Sequence, residues 1–212
     1  MPALGRNDLE YVMDSLVSDV KRLLIKQEKS WTEMLTSFET KNRYRVMSEA
    51  SVETGFIAEE SSALARAFMP WARACKLHVF DASQRAIGLI DKPFRWFFQE
   101  MTVLDKGRRV GSVVRRFGIL TRRLDILDEK GHVILEIATP IWHPWTFPVT
   151  KSGRQVALIQ KKWSGLGREM FSAADSFGIE FQEPMTNDTK AILVAATMLV
   201  DLIWFEKKNS IG

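Results

Sequence analysis

Three arginine pairs are the residues best suited to chemistry: Arg108-Arg109, Arg115-Arg116 and Arg122-Arg123, with Lys106 just ahead of them. A guanidinium presents a planar fork of N–H donors that fits phosphate oxygens, so such pairs suit an anionic lipid headgroup. The plainer reading is a solvated face whose arginines pair with Asp105, Asp125 and Asp128. Nucleic acid is not an expected partner, because aromatic side chains that would stack on bases are not interleaved with these arginines. Elsewhere the chemistry is sparse. The sequence has no nucleophile elbow, P-loop, dinucleotide fingerprint or HExxH. His78, His132 and His143 lie far apart without ligand spacing and read as structural histidines, and Gly165-Leu166-Gly167 reads as a tight turn leaving a strand. No catalytic residue, metal site or cofactor is predicted, and covalent catalysis is not expected.

A second group of residues is apolar. The chain has seven Trp and thirteen Phe against two Tyr. They concentrate in Phe68-Met69-Pro70-Trp71, Trp96-Phe97-Phe98 and Trp142-His143-Pro144-Trp145. On a strand, Trp96 and Phe98 would face one way and Phe97 the other, so one set must face outward unless another element covers it. Trp suits a membrane interface, having an apolar body and a polar edge. Burial under a helix or in a dimer contact is the alternative.

The elements that must position these groups are mostly strands. From about residue 43 the pattern turns to β, beginning with Tyr44-Arg45-Val46 and ending near Glu59-Glu60. Four strand–turn–strand units follow, over residues 77–90, 101–114, 124–137 and 147–159. Three of their turns carry glycine, at Lys106-Gly107, Lys130-Gly131 and Ser152-Gly153, as hairpins require. The turn aspartates Asp81, Asp105 and Asp128 recur at intervals of 24 and 23 residues. A meander of this many strands closes into a barrel or splits into a sandwich.

Two helices are predicted. Residues 7–24 place Leu9, Val12, Met13, Leu16, Val17, Val20 and Leu23-Leu24 at helical spacing, an amphipathic N-terminal extension over 1–24. Its apolar face fits packing on the barrel, a membrane surface or a partner. The second, over 187–206, contains Ile192, Leu193, Met198, Leu199, Asp201 and Trp204, follows candidate caps Thr186, Asn187 and Asp188, and has no polar face. Such a helix is buried in protein or lipid. A span needs about 20 apolar residues, and Asp201 inside a membrane would cost about 2.5–3.5 kcal/mol. The core of a closed barrel suits it better, with a single-pass anchor as the alternative. The barrel domain is then expected over 25–207.

Composition bounds the rest. With 212 residues the chain can bury a sizeable core, and 26% charged residues with a net charge of +4 describe a globular protein that tolerates an acidic partner. The single cysteine, Cys75, excludes an intramolecular disulfide and fits a reducing compartment, and no apolar leader precedes it. A cytoplasmic protein associating peripherally with membrane is the expected setting. Oligomeric state is not legible.

The run Trp163-Ser164-Gly165-Leu166-Gly167-Arg168-Glu169-Met170-Phe171, continuing through Asp175-Ser176-Phe177-Gly178-Ile179-Glu180-Phe181 and the apolar helix, resembles the phospholipid scramblase family. Leu35-Thr36-Ser37-Phe38-Glu39-Thr40-Lys41-Asn42-Arg43-Tyr44 and Pro93-Phe94-Arg95 resemble two further landmarks, so the likeness covers about residues 22–206. The resemblance implies a tubby-like fold, a mainly β protein in which a closed antiparallel barrel of twelve strands surrounds the C-terminal helix. It also implies binding of anionic phospholipid at a membrane surface and its movement between leaflets. The alternative is a non-transporting lipid-binding or scaffold module. Two departures from the family pattern bear on function. The stretch matching an acidic calcium loop, Ala173 to Pro184, keeps Asp175 but has Ala173, Phe177 and Pro184 where oxygen ligands would be needed, so calcium is doubtful. The cysteine clusters that carry acyl chains in animal members are replaced by Phe68, Trp71, Trp96, Phe97, Phe98, Trp142 and Trp145, which are the candidate membrane anchors here.

Overall fold

The computed structural model describes residues 13–28, 40–60, 72–161 and 176–205. Twelve antiparallel strands form one closed barrel. They are β1 (Arg22–Glu28), β2 (Thr40–Ser48), β3 (Glu53–Glu60), β4 (Cys75–Asp81), β5 (Ala86–Lys92), β6 (Glu100–Asp105), β7 (Arg108–Arg116), β8 (Thr121–Asp128), β9 (Val133–Pro140), β10 (Thr146–Lys151), β11 (Arg154–Lys161) and β12 (Ser176–Phe181). Each pairs with its neighbour in sequence, and β1 closes the ring by pairing with both β12 and β2. Closure removes the exposed edges that an open sheet of this size would present. The alternation that predicted the strands decides which side faces in: Leu135, Ile137 and Thr139 of β9 are buried, while Glu136 and Ala138 between them are exposed.

The hairpin turns follow from their residues. Lys106-Gly107 and Ser152-Gly153 have positive φ at both positions, the condition for the tightest two-residue turns. At Asp128 a side-chain oxygen accepts hydrogen bonds from the backbone N–H groups of Lys130 and His132, so that turn is held from within.

Of the helix expected over 7–24, residues 7–12 lie outside the described residues; from Met13 onward only α1 (Asp14–Val17) is helical. Residues 22–24 of that stretch are strand β1 instead, because Leu23, Leu24 and Ile25 complete the sheet between β12 and β2. The same apolar residues serve both patterns over so short a window, and only closure of the barrel separates them. The segment around α1 seals one end: Met13, Leu16 and Val17 are buried in the common core. Lys190 reaches up from inside to donate to the carbonyls of Val17 and Val20.

Helix α2 (Asn187–Trp204) runs up the barrel interior. Thr186 caps it by accepting from the N–H of Thr189. Residues 190–203 are all buried, which answers the absence of a polar face in the sequence. The helix packs most closely on β6 and β7, and Gly111 of β7 permits this: a Cβ there would lie 2.4 Å from the Ile192 Cδ1. Asp201 is held inside by Lys161 Nζ at 3.2 Å and by the Tyr44 hydroxyl at 3.2 Å. Among the described residues no helix is long and apolar enough to cross a membrane. The C-terminal anchor alternative gives way to this buried placement.

Candidate functional site

Strand direction sorts the connections into two ends. The tight turns at 49–52, 82–85, 106–107, 129–132 and 152–153 share one end with α1 and the start of α2. The connections at 93–99, 117–120 and 141–145 share the other end, here the mouth, with the last turn of α2.

The mouth connections are apolar and exposed. Trp96, Phe97 and Phe98 are not on a strand, as the sequence had implied, but in the β5–β6 connection, so no in–out alternation applies and all three face solvent. Phe94 and Trp142 are exposed as well. The β7–β8 connection adds Phe117 and Ile119, 74% and 80% exposed, and Leu120; Ile141 joins from the β9–β10 connection. In the sequence these four carry no such signal: Phe117 stands alone beside arginines, and the other three are aliphatics outside any aromatic cluster. Trp145 departs from the expectation of an anchor: it is half-buried and stacks on Phe205 at 5.5 Å, where it helps close the core. Phe68 and Trp71 lie outside the described residues.

Backbone hydrogen bonds tie neighbouring connections into one rim. Arg95 N–H donates to Ala72, Arg115 N–H to Gln99, and Ile141 N–H to Leu120. The β7–β8 and β9–β10 connections are thus bonded directly, and the β5–β6 connection is bonded to the end of β7 beside them.

The arginines do not form the single patch their sequence spacing implied. Arg108 and Arg109 start β7 at the turn end, about 23 Å from Arg115 and Arg116 at ~3.3 Å per residue. Arg108 pairs there with Asp188 at 3.2 Å and Glu129 at 3.6 Å, and Arg109 donates to Ser112 Oγ. At the mouth, strand alternation splits each remaining pair. Arg115 lies opposite buried Leu124, so it points into the mouth, where its Nη1 donates to Gln99 Oε1 at 3.0 Å. Arg122 also points in, over the Trp204 ring at 5.2 Å, and donates to the Pro144 carbonyl at 3.1 Å. Burial pulls the pKa of both guanidinium groups down. These two arginines brace the β5–β6 and β9–β10 connections. Arg116 and Arg123, by contrast, sit directly opposite each other on the outer face and are exposed.

His78 Nε2 lies 2.7 Å from Glu60, His132 lies beside Asp128, and His143 stands in the β9–β10 connection. In the stretch matched to the calcium loop, residues 176–181 are strand β12; Glu180 pairs with Arg22 and Glu183 with Arg154. Asp175 lies outside the described residues. Among the described residues no three His, Cys, Asp or Glu side chains are grouped to hold a metal ion.

The fold defines the class first: a closed twelve-stranded antiparallel barrel around its own C-terminal helix. The scramblase family model then matches residues 5–207, and the chain belongs to that family. It is 27% identical to human phospholipid scramblase 1 over 95% of this chain and 67% of the relative. It is 28% identical to human phospholipid scramblase 2, covering 94% of this chain and 70% of the relative. Human phospholipid scramblase family member 5 is 27% identical over 93% of this chain and 77% of its own length. The chain spans less than two thirds of rat and mouse phospholipid scramblase 1, at 63% and 65%.

Proposed function

We propose that this protein is a scramblase-like lipid-handling protein that binds anionic phospholipid at a membrane surface through the barrel mouth and moves it between leaflets without covalent chemistry. The observation that carries the reading is the juxtaposition, on one end of a scramblase-family barrel, of exposed apolar loops with arginines. Rings and aliphatic side chains gain by leaving water, at roughly 1.5–3 kcal/mol for a fully buried large side chain. Each nearby arginine adds about 1 kcal/mol on an anionic surface. Together these give reversible surface association without an acyl chain. Calcium is not invoked, and no nucleic acid partner is.

Helix α2 fills the barrel with packed apolar side chains, so lipid has no route through the interior. Movement between leaflets must therefore run along the outside of the mouth, where inserted loops thin and disorder the headgroup layer. The alternative, a lipid-binding or scaffold module that moves nothing, predicts the same binding without exchange. Reconstitution separates them. Purified protein in vesicles with dye-labelled phospholipid should accelerate loss of the inner-leaflet signal to an external quencher. An unchanged rate with full binding leaves the scaffold reading; no binding to anionic vesicles refutes both.

A further inference from the structure

The β7–β8 hairpin combines three properties at the mouth. Its tip is apolar and among the most exposed parts of the surface, with Phe117 at 74% and Ile119 at 80%. Its shape is fixed: a Cβ on Gly118 would fall 2.3 Å from the Thr121 carbonyl, and the Ile141 N–H donates to Leu120. Its base carries two arginines on one face, Arg116 and Arg123, in direct cross-strand register.

We infer that this hairpin is the wedge by which the barrel enters an anionic lipid surface, with Arg116 and Arg123 gripping one lipid phosphate between them. The inference rests on the membrane-surface reading above. Two like charges directly opposite on a sheet repel, and here only part of one is neutralised. Asp125 accepts from Arg116 Nε at 2.6 Å, which orients that guanidinium, and among the described residues its two terminal nitrogens make no hydrogen bond. Directly opposing residues on antiparallel strands lie about 5 Å apart at Cα, so both guanidinium forks are within reach of one phosphodiester or phosphomonoester. The neighbouring arginines do not compete for it, because Arg115 and Arg122 point into the mouth and hold Gln99 and Pro144. Spacing along the hairpin matches a bilayer: the tip occupies the acyl boundary while the arginines sit one to three residues back, at headgroup level. A tip already held in place loses little freedom on binding. The occupant is a lipid surface rather than a second copy of this chain, because two such arginine-ringed mouths would face like charge with like charge.

The test uses the full chain with neutral phosphatidylcholine vesicles and vesicles containing phosphatidylserine. Arg116→Gln with Arg123→Gln should lower partition onto the anionic vesicles by about 30-fold and leave neutral vesicles nearly unaffected. Ile119→Ser should lower partition onto both by about tenfold or more. Position is read separately. Cys75 is the only cysteine of the chain and is buried, so Ile119→Cys supplies an accessible thiol for an environment-sensitive dye. The dye should shift to the blue on anionic vesicles, whereas the same dye on Val133→Cys, at the turn end, should not. If the wild-type chain ignores both vesicle types, the membrane reading falls and this inference with it. If it binds but the hairpin variants bind equally well, the wedge is wrong and the membrane reading stands. A dye at position 119 already shielded at raised protein concentration without vesicles would make the tip a contact between copies, which also overturns the inference.

Discussion

Removing the Asp201 carboxylate should weaken the barrel's hold on its central helix. Asp201 lies in the last turn of α2, 6% exposed, with Lys161 Nζ at 3.2 Å and the Tyr44 hydroxyl at 3.2 Å. Lys161 also stands 4.5 Å from the ring centres of Phe177 and Phe205, so its charge has left water. The three residues come from α2, β11 and β2, and the contact therefore fixes the height and rotation of the helix against two distant walls. In Asp201→Ala an ammonium and a hydroxyl stay buried without that acceptor, a loss of about 3–5 kcal/mol for a broken buried pair. Domains of this kind are stable by roughly 5–15 kcal/mol, so the variant should lose about a fifth or more of its stability. Urea denaturation followed by tryptophan fluorescence reads this as a shifted midpoint at constant slope. Lys161→Met alone should be costly for the mirror reason. Asp201→Leu combined with Lys161→Met removes both charges and should recover much of the loss, falling short by about 1–3 kcal/mol for the buried Tyr44 hydroxyl left without this acceptor. An Asp201→Ala cost below about 1 kcal/mol, or a double variant as unstable as the two singles summed, would refute the view that the pair is buried and coupled.

Other expectations follow from individual sites. Asp105 is buried and neither carboxylate oxygen makes a hydrogen bond of normal geometry; burial raises its pKa above 3.8, against the opposing pull of Arg108, Lys106 and the Met13 amide and with Asp14 adding to the rise. Its contribution to stability is therefore present below the unfolded value and lost as pH rises through the raised folded value, so Asp105→Asn should melt higher at neutral pH, with its advantage over wild type shrinking as pH falls below the unfolded value. Gly111→Ala should cost about 1–3 kcal/mol in denaturant midpoint, since its Cβ would meet both the Ile192 side chain and the immovable Leu127 carbonyl at 2.4 Å. Trp96→Ala with Trp142→Ala removes two exposed rings, and should weaken sedimentation with anionic vesicles at least tenfold while leaving the melting temperature within a few degrees; a collapse of the fold would place those rings in the core.

Reading the sequence recovered the elements whose signals are local. The glycine turns fixed three hairpins, and the lack of a polar face on residues 191–205 demanded an enclosure. The N-terminal stretch misled, because Leu16-Val17-Ser18-Asp19-Val20 and Leu23-Leu24-Ile25 satisfy helical spacing while β1 is required by partners more than 100 residues away. At the mouth, Trp96, Phe97, Phe98 and Trp142 were visible as a cluster of types. Phe117, Ile119, Leu120 and Ile141 were not, since isolated apolar residues next to arginines carry no sign of exposure until the turn between β7 and β8 is drawn.

The sequence alone thus determined that strands chained by tight turns would enclose an apolar helix, because turn chemistry and alternation act between residues close in the chain. It also supplied arginines and rings in the same third of the chain. Which of them face the same space was decided by the tertiary structure. Adjacent residues on a strand point to opposite sides, so Arg115-Arg116 and Arg122-Arg123, paired in sequence, are parted in space. Arg116 and Arg123, seven residues apart, are brought together by register. Strand length separates Arg108 and Arg109 from all four, and barrel closure gathers loops from distant hairpins onto one rim. Register, direction and closure are properties of pairing between strands, and they are set only when the whole sheet is assembled.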